Sequence, residues 1–238
     1  MALPGDGFIA LWNDINPRRT DYDAWHTTEH VPERLTIAGF LRAHRYVLLD
    51  GELPNYFTLY ALDDLRALDS NEYRRLLRQP SPSTLGMRSD FRNFLRLACR
   101  TTLSKGTGLG GYAAVRLVRS LDIGWAASIS DALITSAGVS SVHFGAVDRR
   151  TAPFDISMPV ADVPADVAAI LVIEGYNSEL LRSSCSAIET ERWCAWSFYQ
   201  LVFALRRDCV SRPLAPNQPS DMLEAPVQHT RDSNPRET

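Results

Sequence analysis

Ser104-Lys105-Gly106-Thr107-Gly108-Leu109-Gly110-Gly111 divides the chain into two stretches of similar length. Four glycines in eight residues favour an open, flexible backbone, so the segment reads as a linker. A phosphate-binding loop is the competing reading. The segment lacks the Gly-Lys-Ser/Thr ending of such a loop, and no helix follows it directly. Upstream, Phe8 to Trp12 reads as a strand, and Thr20 is the expected N-cap of a helix, with Asp23 as its capping-box partner. Pro32 is expected to end or kink that helix, and Gly39 to close the turn after it. Phe40 to Leu49 and Asn55 to Leu62 read as strands. Asp63 or Asp64 should cap a second helix through Leu77, which Pro80-Ser81-Pro82-Ser83 stops. Phe91 to Thr101 is the last strand of a β-α-β-β-α-β order.

Downstream the order recurs. Tyr112 to Val118 is a strand, Ile123 to Ser136 an amphipathic helix, and Gly138 to Val147 a strand. Ala168 to Tyr176 is an apolar strand, Asn177 caps a helix to about Glu189, and Trp193 to Arg206 is a long strand. Trp25 pairs with Trp125, Ala38-Gly39 with Ala137-Gly138, and His44 with His143, at a shift of about one hundred positions. The expected fold class is therefore α+β, with two ferredoxin-like βαββαβ units fused in one chain and their sheets packed into an intramolecular barrel. The expected boundaries are 1–104, a linker at 105–111, 112–208, and a disordered or extended tail at 209–238. Residues 149–166 form an extra loop of the second unit.

Composition is that of a soluble globular protein, with 45% hydrophobic and 22% charged residues and a formal net charge of −3. There is no basic surplus to favour nucleic acid. No apolar run reaches the roughly 18 residues of a membrane span, and no signal peptide is visible at the N-terminus. The four cysteines form no CxxC pair or disulfide framework. The expected setting is cytoplasmic, with a small-molecule substrate, no nucleic acid, no membrane, no cofactor, and a homodimer open to form through exposed sheet edges.

Chemistry concentrates in Trp25-His26-Thr27-Thr28-Glu29-His30. A four-residue spacing puts both imidazoles on one helical face, and an imidazole titrates near neutral pH. The second half offers only Ala126 or Ala127 and Ser130 or Asp131 there, so the first half is expected to hold the site. His26-x-x-Glu29-His30 also matches an inverted zinc pattern, but Pro32 follows at once and no downstream acidic helix supplies a third ligand. Asp14, at the end of the first strand, would orient His30 or act as a second base, or else cap a turn. Arg45 and Tyr46 must point to opposite faces of their strand. Arg45 would hold a carboxylate or enolate oxygen, or else lie on a solvated edge.

Asp14, Trp25, Glu29-His30, Pro32-Glu33-Arg34, Gly39-Phe40, Arg45-Tyr46 and Tyr56 to Tyr60 together resemble the dimeric α+β barrel superfamily, near its EthD-like branch. The resemblance covers about residues 8–101 by motif and 111–206 by architecture. It implies a first-helix histidine, here His30, facing a cleft between sheet and helices. The superfamily holds isomerases, polyketide cyclases, cofactor-free monooxygenases, haem enzymes and proteins without chemistry. The expectation is a cofactor-free lyase, isomerase or cyclase acting on a small apolar carbonyl, phenolic or lactone compound. His30, His26, Asp14 and Arg45 would be catalytic, and Trp12, Trp25, Tyr46 and Tyr60 would bind substrate. A non-catalytic binder or pathway chaperone is one alternative. An oxidoreductase of the same superfamily, with haem, with a metal or without cofactor, is another. For haem, the resemblance points to His143 as the ligand.

Overall fold

The computed structural model describes residues 2–150, 165–188 and 194–210. Eight antiparallel strands close into one barrel: β1 (Gly7–Ile15), β2 (Phe40–Asp50), β3 (Tyr56–Leu62), β4 (Phe91–Gly106), β5 (Tyr112–Val118), β6 (Val139–Val147), β7 (Ala169–Gly175) and β8 (Ser197–Arg206). The hydrogen-bonded order is β1-β3-β2-β8-β5-β7-β6-β4. Upstream strands run β4-β1-β3-β2 and downstream strands β8-β5-β7-β6, which is the same internal order. The β2–β8 and β4–β6 ladders seal one set to the other. Each strand thus has two neighbours, and a homodimer would need a surface other than the sheet edges anticipated from the sequence.

Period-2 alternation sorts the side chains. Phe8, Ala10 and Trp12 of β1 point inward and join Phe57, Leu97, Val115, Val172 and Tyr199 from both halves in one interior core. Ile9 of β1 points outward, to a layer with Val31, Leu35, Tyr60 and Tyr73. The helices lie on this outer surface. Upstream are α1 (Arg19–Trp25), α2 (Val31–Thr36), α3 (Asn71–Arg78) and α4 (Pro82–Arg88), and downstream are α5 (Ile123–Ile134) and α6 (Ser178–Ser186). No helix among the described residues is long and apolar enough to cross a membrane.

Several local expectations are corrected. Arg18, not Thr20, precedes α1, and no side chain caps it; Asp23 pairs with Arg45 instead. Pro32 does not stop the helix. The chain passes from α1 through a π-helical turn, His26–His30, into α2, where Pro32 sits in the first turn. A proline has no N–H to give the preceding turn, and the wider π turn directly ahead of it absorbs that loss. The helix expected from Asp64 to Leu77 is broken. Asp64 caps a 3-10 turn, Leu65–Asp69, and Ser70 caps α3. Pro80 to Ser83 starts α4 as well as ending α3: Ser81 accepts from the Thr84 N–H, and Pro82 takes the first turn. β4 runs to Gly106, paired with Ser141, so the strand takes the first residues of the expected linker. β8 begins at Ser197, and a short helix, α7 (Arg207–Val210), continues past the expected boundary at 208. Trp193, most of the 149–166 loop, and 211–238 lie outside the described residues.

Gly39 and Gly138 both have φ +88°, each just ahead of the second strand of its half. A Cβ on Gly138 would stand 2.4 Å from Leu180 Cβ, and one on Gly39 2.7 Å from Ala67 Cβ. Inside the barrel, a Cβ on Gly145 would meet Phe8 Cζ at 2.2 Å and Cys99 Cβ at 2.8 Å. Gly145→Ala therefore overpacks the interior. It is expected to lower the unfolding free energy by about 1–3 kcal/mol in chemical denaturation.

Candidate active site

The cleft lies between the outer face of the first-half sheet and its helices. Its walls are apolar and aromatic: Ile9, Leu11, Phe40, Tyr60, Phe91 and Phe94 from the strands, Trp25 from α1, Tyr73 and Leu77 from α3. Its polar groups are His30, Arg34, Thr84 and Arg88. It holds about 540 Å³ of space, part of it open to solvent.

His30 ends the π turn. Its ring packs 4.5 Å from Trp25 and 5.1 Å from His26 between centroids. Its Nδ1 is buried without a hydrogen-bond partner among the described residues, and so is the hydroxyl of Tyr60. Burial first, then the charges of Arg34, His26 and Arg88, holds the His30 imidazole well below the ordinary histidine range. It is therefore a neutral base at physiological pH. Burial pushes the Tyr60 phenol up, against the opposing pull of Arg34, so that hydroxyl stays protonated as a donor.

The other expected residues are placed differently. His26 is buried against Tyr22, Trp25 and His30, behind the cleft wall and not on it. Burial, with Arg45 and Arg34, lowers its pKa too. Asp14 takes its turn-capping alternative. It accepts from the Asn55 backbone N–H at 2.7 Å, the Asn55 amide at 2.8 Å and the Asn93 amide at 2.7 Å. Arg45 is outside the cleft. It pairs with Asp23, donates to Thr27 and lies over the rings of Tyr22 and Tyr56. Trp12 and Tyr46 are inside the barrel, part of its core. The structure thus brings His30, Trp25 and Tyr60 together and leaves the other five elsewhere. Arg88, Thr84, Phe91 and Phe94 line the cleft unanticipated, and Arg34, expected only as an ion-pair partner of Glu33 or Asp14, pairs with Glu33 and lines the cleft too. Ser81-Pro82, an N-cap followed by a first-turn proline, is the signal that would have revealed α4 and with it Thr84 and Arg88.

Glu29 turns away from the histidines and accepts from the hydroxyls of Ser81 and Ser83, which hold its carboxyl low. Among the described residues no group of three His, Cys, Asp or Glu side chains is arranged to hold a metal ion. In the second half α5 is a regular helix. Ala126 is buried in the apolar layer beneath it, and Ser130 donates to the Ala126 carbonyl.

A second polar cluster lies inside the barrel. Glu174 of β7 is fully buried. Its Oε1 accepts from the Tyr46 hydroxyl at 2.7 Å and stands 3.0 Å from His44 Nδ1. Its Oε2 accepts from the Ser141 hydroxyl at 2.7 Å, with His143 Nε2 at 3.7 Å. His143 Nδ1 is 2.8 Å from the Ser104 hydroxyl. Burial opposes charge on Glu174, but the contacts with His143 and His44 outweigh it and hold the carboxyl well below the usual range. Burial keeps both imidazoles low in spite of Glu174.

His26, His30, His44 and His143 thus all have native pKa values below 6.5. Above that pH both folded and unfolded chains hold them neutral, and nothing is lost. Below it the unfolded chain takes up protons that the native chain refuses, so stability falls as pH falls. Each such histidine contributes up to about 1.4 kcal/mol per pH unit. Urea unfolding is expected to show a steep loss of stability between pH 6.5 and 5.5. A flat profile across that window would contradict the buried neutral imidazoles.

No protein-family model matches the sequence, and no curated protein matches it. Solved structures do match its fold. An anthrone oxidase-like protein superposes with TM-score 0.54 at 8% identity, covering 85% of this chain and 93% of its own. A protein from Fusobacterium nucleatum subsp. nucleatum, provisionally named a monooxygenase, gives 0.56 at 8% identity, covering 85% and 95%. A haem-binding protein from Thermus thermophilus overlaps at 0.49 with 10% identity, covering 85% and 93%. The chain is an α+β barrel protein, a fold it shares with the first two of these structures. The expected lyase, isomerase or cyclase is withdrawn: the neighbours with this fold bear oxidase-like and monooxygenase names.

Haem does not fit at His143. His143 is fully buried among barrel strands, between Ser104 and Glu174.

Proposed function

We propose that the chain is an oxidoreductase of the monooxygenase kind, acting without haem on a flat, electron-rich hydroxyaromatic compound or its keto tautomer. The observation that carries this is the pair of buried, unpartnered groups, His30 Nδ1 and the Tyr60 hydroxyl, in one aromatic-walled cleft. Such a pair is ready to take a proton from a substrate and to donate a hydrogen bond to the oxyanion left behind. His30 removes a proton from an activated methylene, and Tyr60 donates to the oxygen on which the negative charge settles. The electron-rich carbon then reduces dioxygen and forms a C–O bond. Loss of water, with His30 returning its proton, leaves a carbonyl: one methylene and one dioxygen give one ketone and one water. Apolar walls suit both the ring system and dioxygen.

The barrel is read as two fused ferredoxin-like units, 1–104 and 112–208. Support comes from the shared strand order of the two halves and from the matched glycines Gly39 and Gly138. Every residue lining the cleft belongs to the first unit.

The name of one structural neighbour suggests anthrone as the first substrate to try. Incubated with anthrone under 18O2, the protein is expected to consume one dioxygen per anthrone and to place one 18O in the product ketone. Consumption no faster than with heat-denatured protein would overturn the proposal.

A further inference from the structure

Two guanidiniums line the cleft, and no acidic side chain does. Arg34 is buried, 5% exposed, and its single carboxylate contact among the described residues is Glu33 at 3.1 Å, its neighbour in sequence. Glu33 sits to the solvent side, its side chain 29% exposed. Arg88 donates to the Leu77 carbonyl at 3.1 Å, and among the described residues no carboxylate pairs with it. The two cations repel: burial first, and then the Arg34 charge, lowers the pKa of Arg88. Burying charge is costly unless a partner neutralises it: Arg34 is buried and Arg88 half-buried, and two arginines beside one glutamate leave one positive charge over. Tyr60 adds a buried hydroxyl with no acceptor. Planar guanidiniums match carboxylate geometry with paired N–H donors.

We infer that the substrate of this cleft is an acid: an aromatic compound bearing a carboxylate, which Arg88 and Arg34 hold while the ring lies against Trp25 and Phe91. The inference rests on the same cleft as the proposed oxygenation and names the class of compound that enters it. It also couples binding to basicity. The arginines are among the causes that depress His30. A bound carboxylate offsets their field, so His30 becomes a stronger base when substrate is present.

The test is a binding measurement that needs no turnover. Isothermal titration calorimetry with 2-naphthoate and its neutral isostere 2-naphthamide separates charge from shape. The wild-type protein is expected to bind naphthoate at least about tenfold more tightly. Arg88→Gln should remove that preference by weakening naphthoate binding far more than naphthamide binding, while Arg88→Lys should keep part of it; circular dichroism of each variant checks folding. Equal affinities in the wild type, no binding of either compound, or a preference that survives in folded Arg88→Gln would each overturn the inference. If naphthoate is preferred as expected while neither anthrone nor an anthrone bearing a carboxylate consumes dioxygen, the oxygenation falls and the acid-binding cleft stands.

Discussion

Glu174→Ala is expected to lower the unfolding free energy by about 3–5 kcal/mol, a large share of the roughly 5–15 kcal/mol of an ordinary domain. The carboxylate is fully buried and is the shared acceptor for Tyr46 and Ser141, with His44 Nδ1 3.0 Å away. Alanine leaves those groups in place with nothing to accept from them, and each orphaned donor costs its desolvation. It also removes the negative charge that faces Arg42, which is itself buried at 5% exposure. The effect has a topological side. Tyr46 and His44 are on β2, Glu174 on β7 and Ser141 on β6, so one side chain ties first-half and second-half strands across the interior. Glu174→Gln keeps the volume and one acceptor, and should cost less. Urea denaturation of the three proteins at pH 7.5 checks the order. An alanine variant within about 1 kcal/mol of wild type would show that the cluster contributes little, as exposed polar contacts do.

Fold and site were legible to different degrees. Tyr112–Val118 reads correctly to the residue, because a mostly apolar run with Tyr112, Val115 and Val118, bounded by turn residues, favours a strand. Asn177 likewise caps α6 as its side-chain chemistry requires, accepting from the Glu179 and Leu180 N–H groups. The π turn was not legible. Local spacing favours an ordinary helix at His26 to His30, and the wider turn follows from Pro32 and from packing over Tyr22 and Tyr56. Asp14 and Arg45 looked functional because a strand-end acid and a strand arginine suit catalysis. Whether such groups face a cleft or a neighbouring turn is set by contacts more than ten residues away, with Asn55 and Asn93 in one case and Asp23 in the other. Glu174 did leave a trace: it is the one charged residue in the apolar run Ala169–Gly175. An acid in a strand buried along its whole length must have partners waiting for it.

His30→Gln is expected to reduce turnover by about 10²–10⁴-fold while leaving thermal stability close to wild type. The two halves of that expectation come from one observation. A buried nitrogen without a partner contributes no hydrogen bond to the fold, so replacing it removes nothing that holds the helix. The ring's remaining contribution is packing against Trp25 and His26, and glutamine retains part of that volume. Stability should even gain on wild type below pH 6.5, because one of the four imidazoles that resist protonation has gone. Turnover behaves oppositely. Glutamine cannot take a proton at any working pH, and His26 lies behind the cleft wall, so it cannot substitute. His26→Gln should accordingly leave far more activity than His30→Gln. Steady-state rates with anthrone, set beside melting temperatures of both variants, test the assignment. An active His30→Gln protein would remove the imidazole from the chemistry, whereas an inactive one that fails to fold would show that the π turn needs the ring for structure.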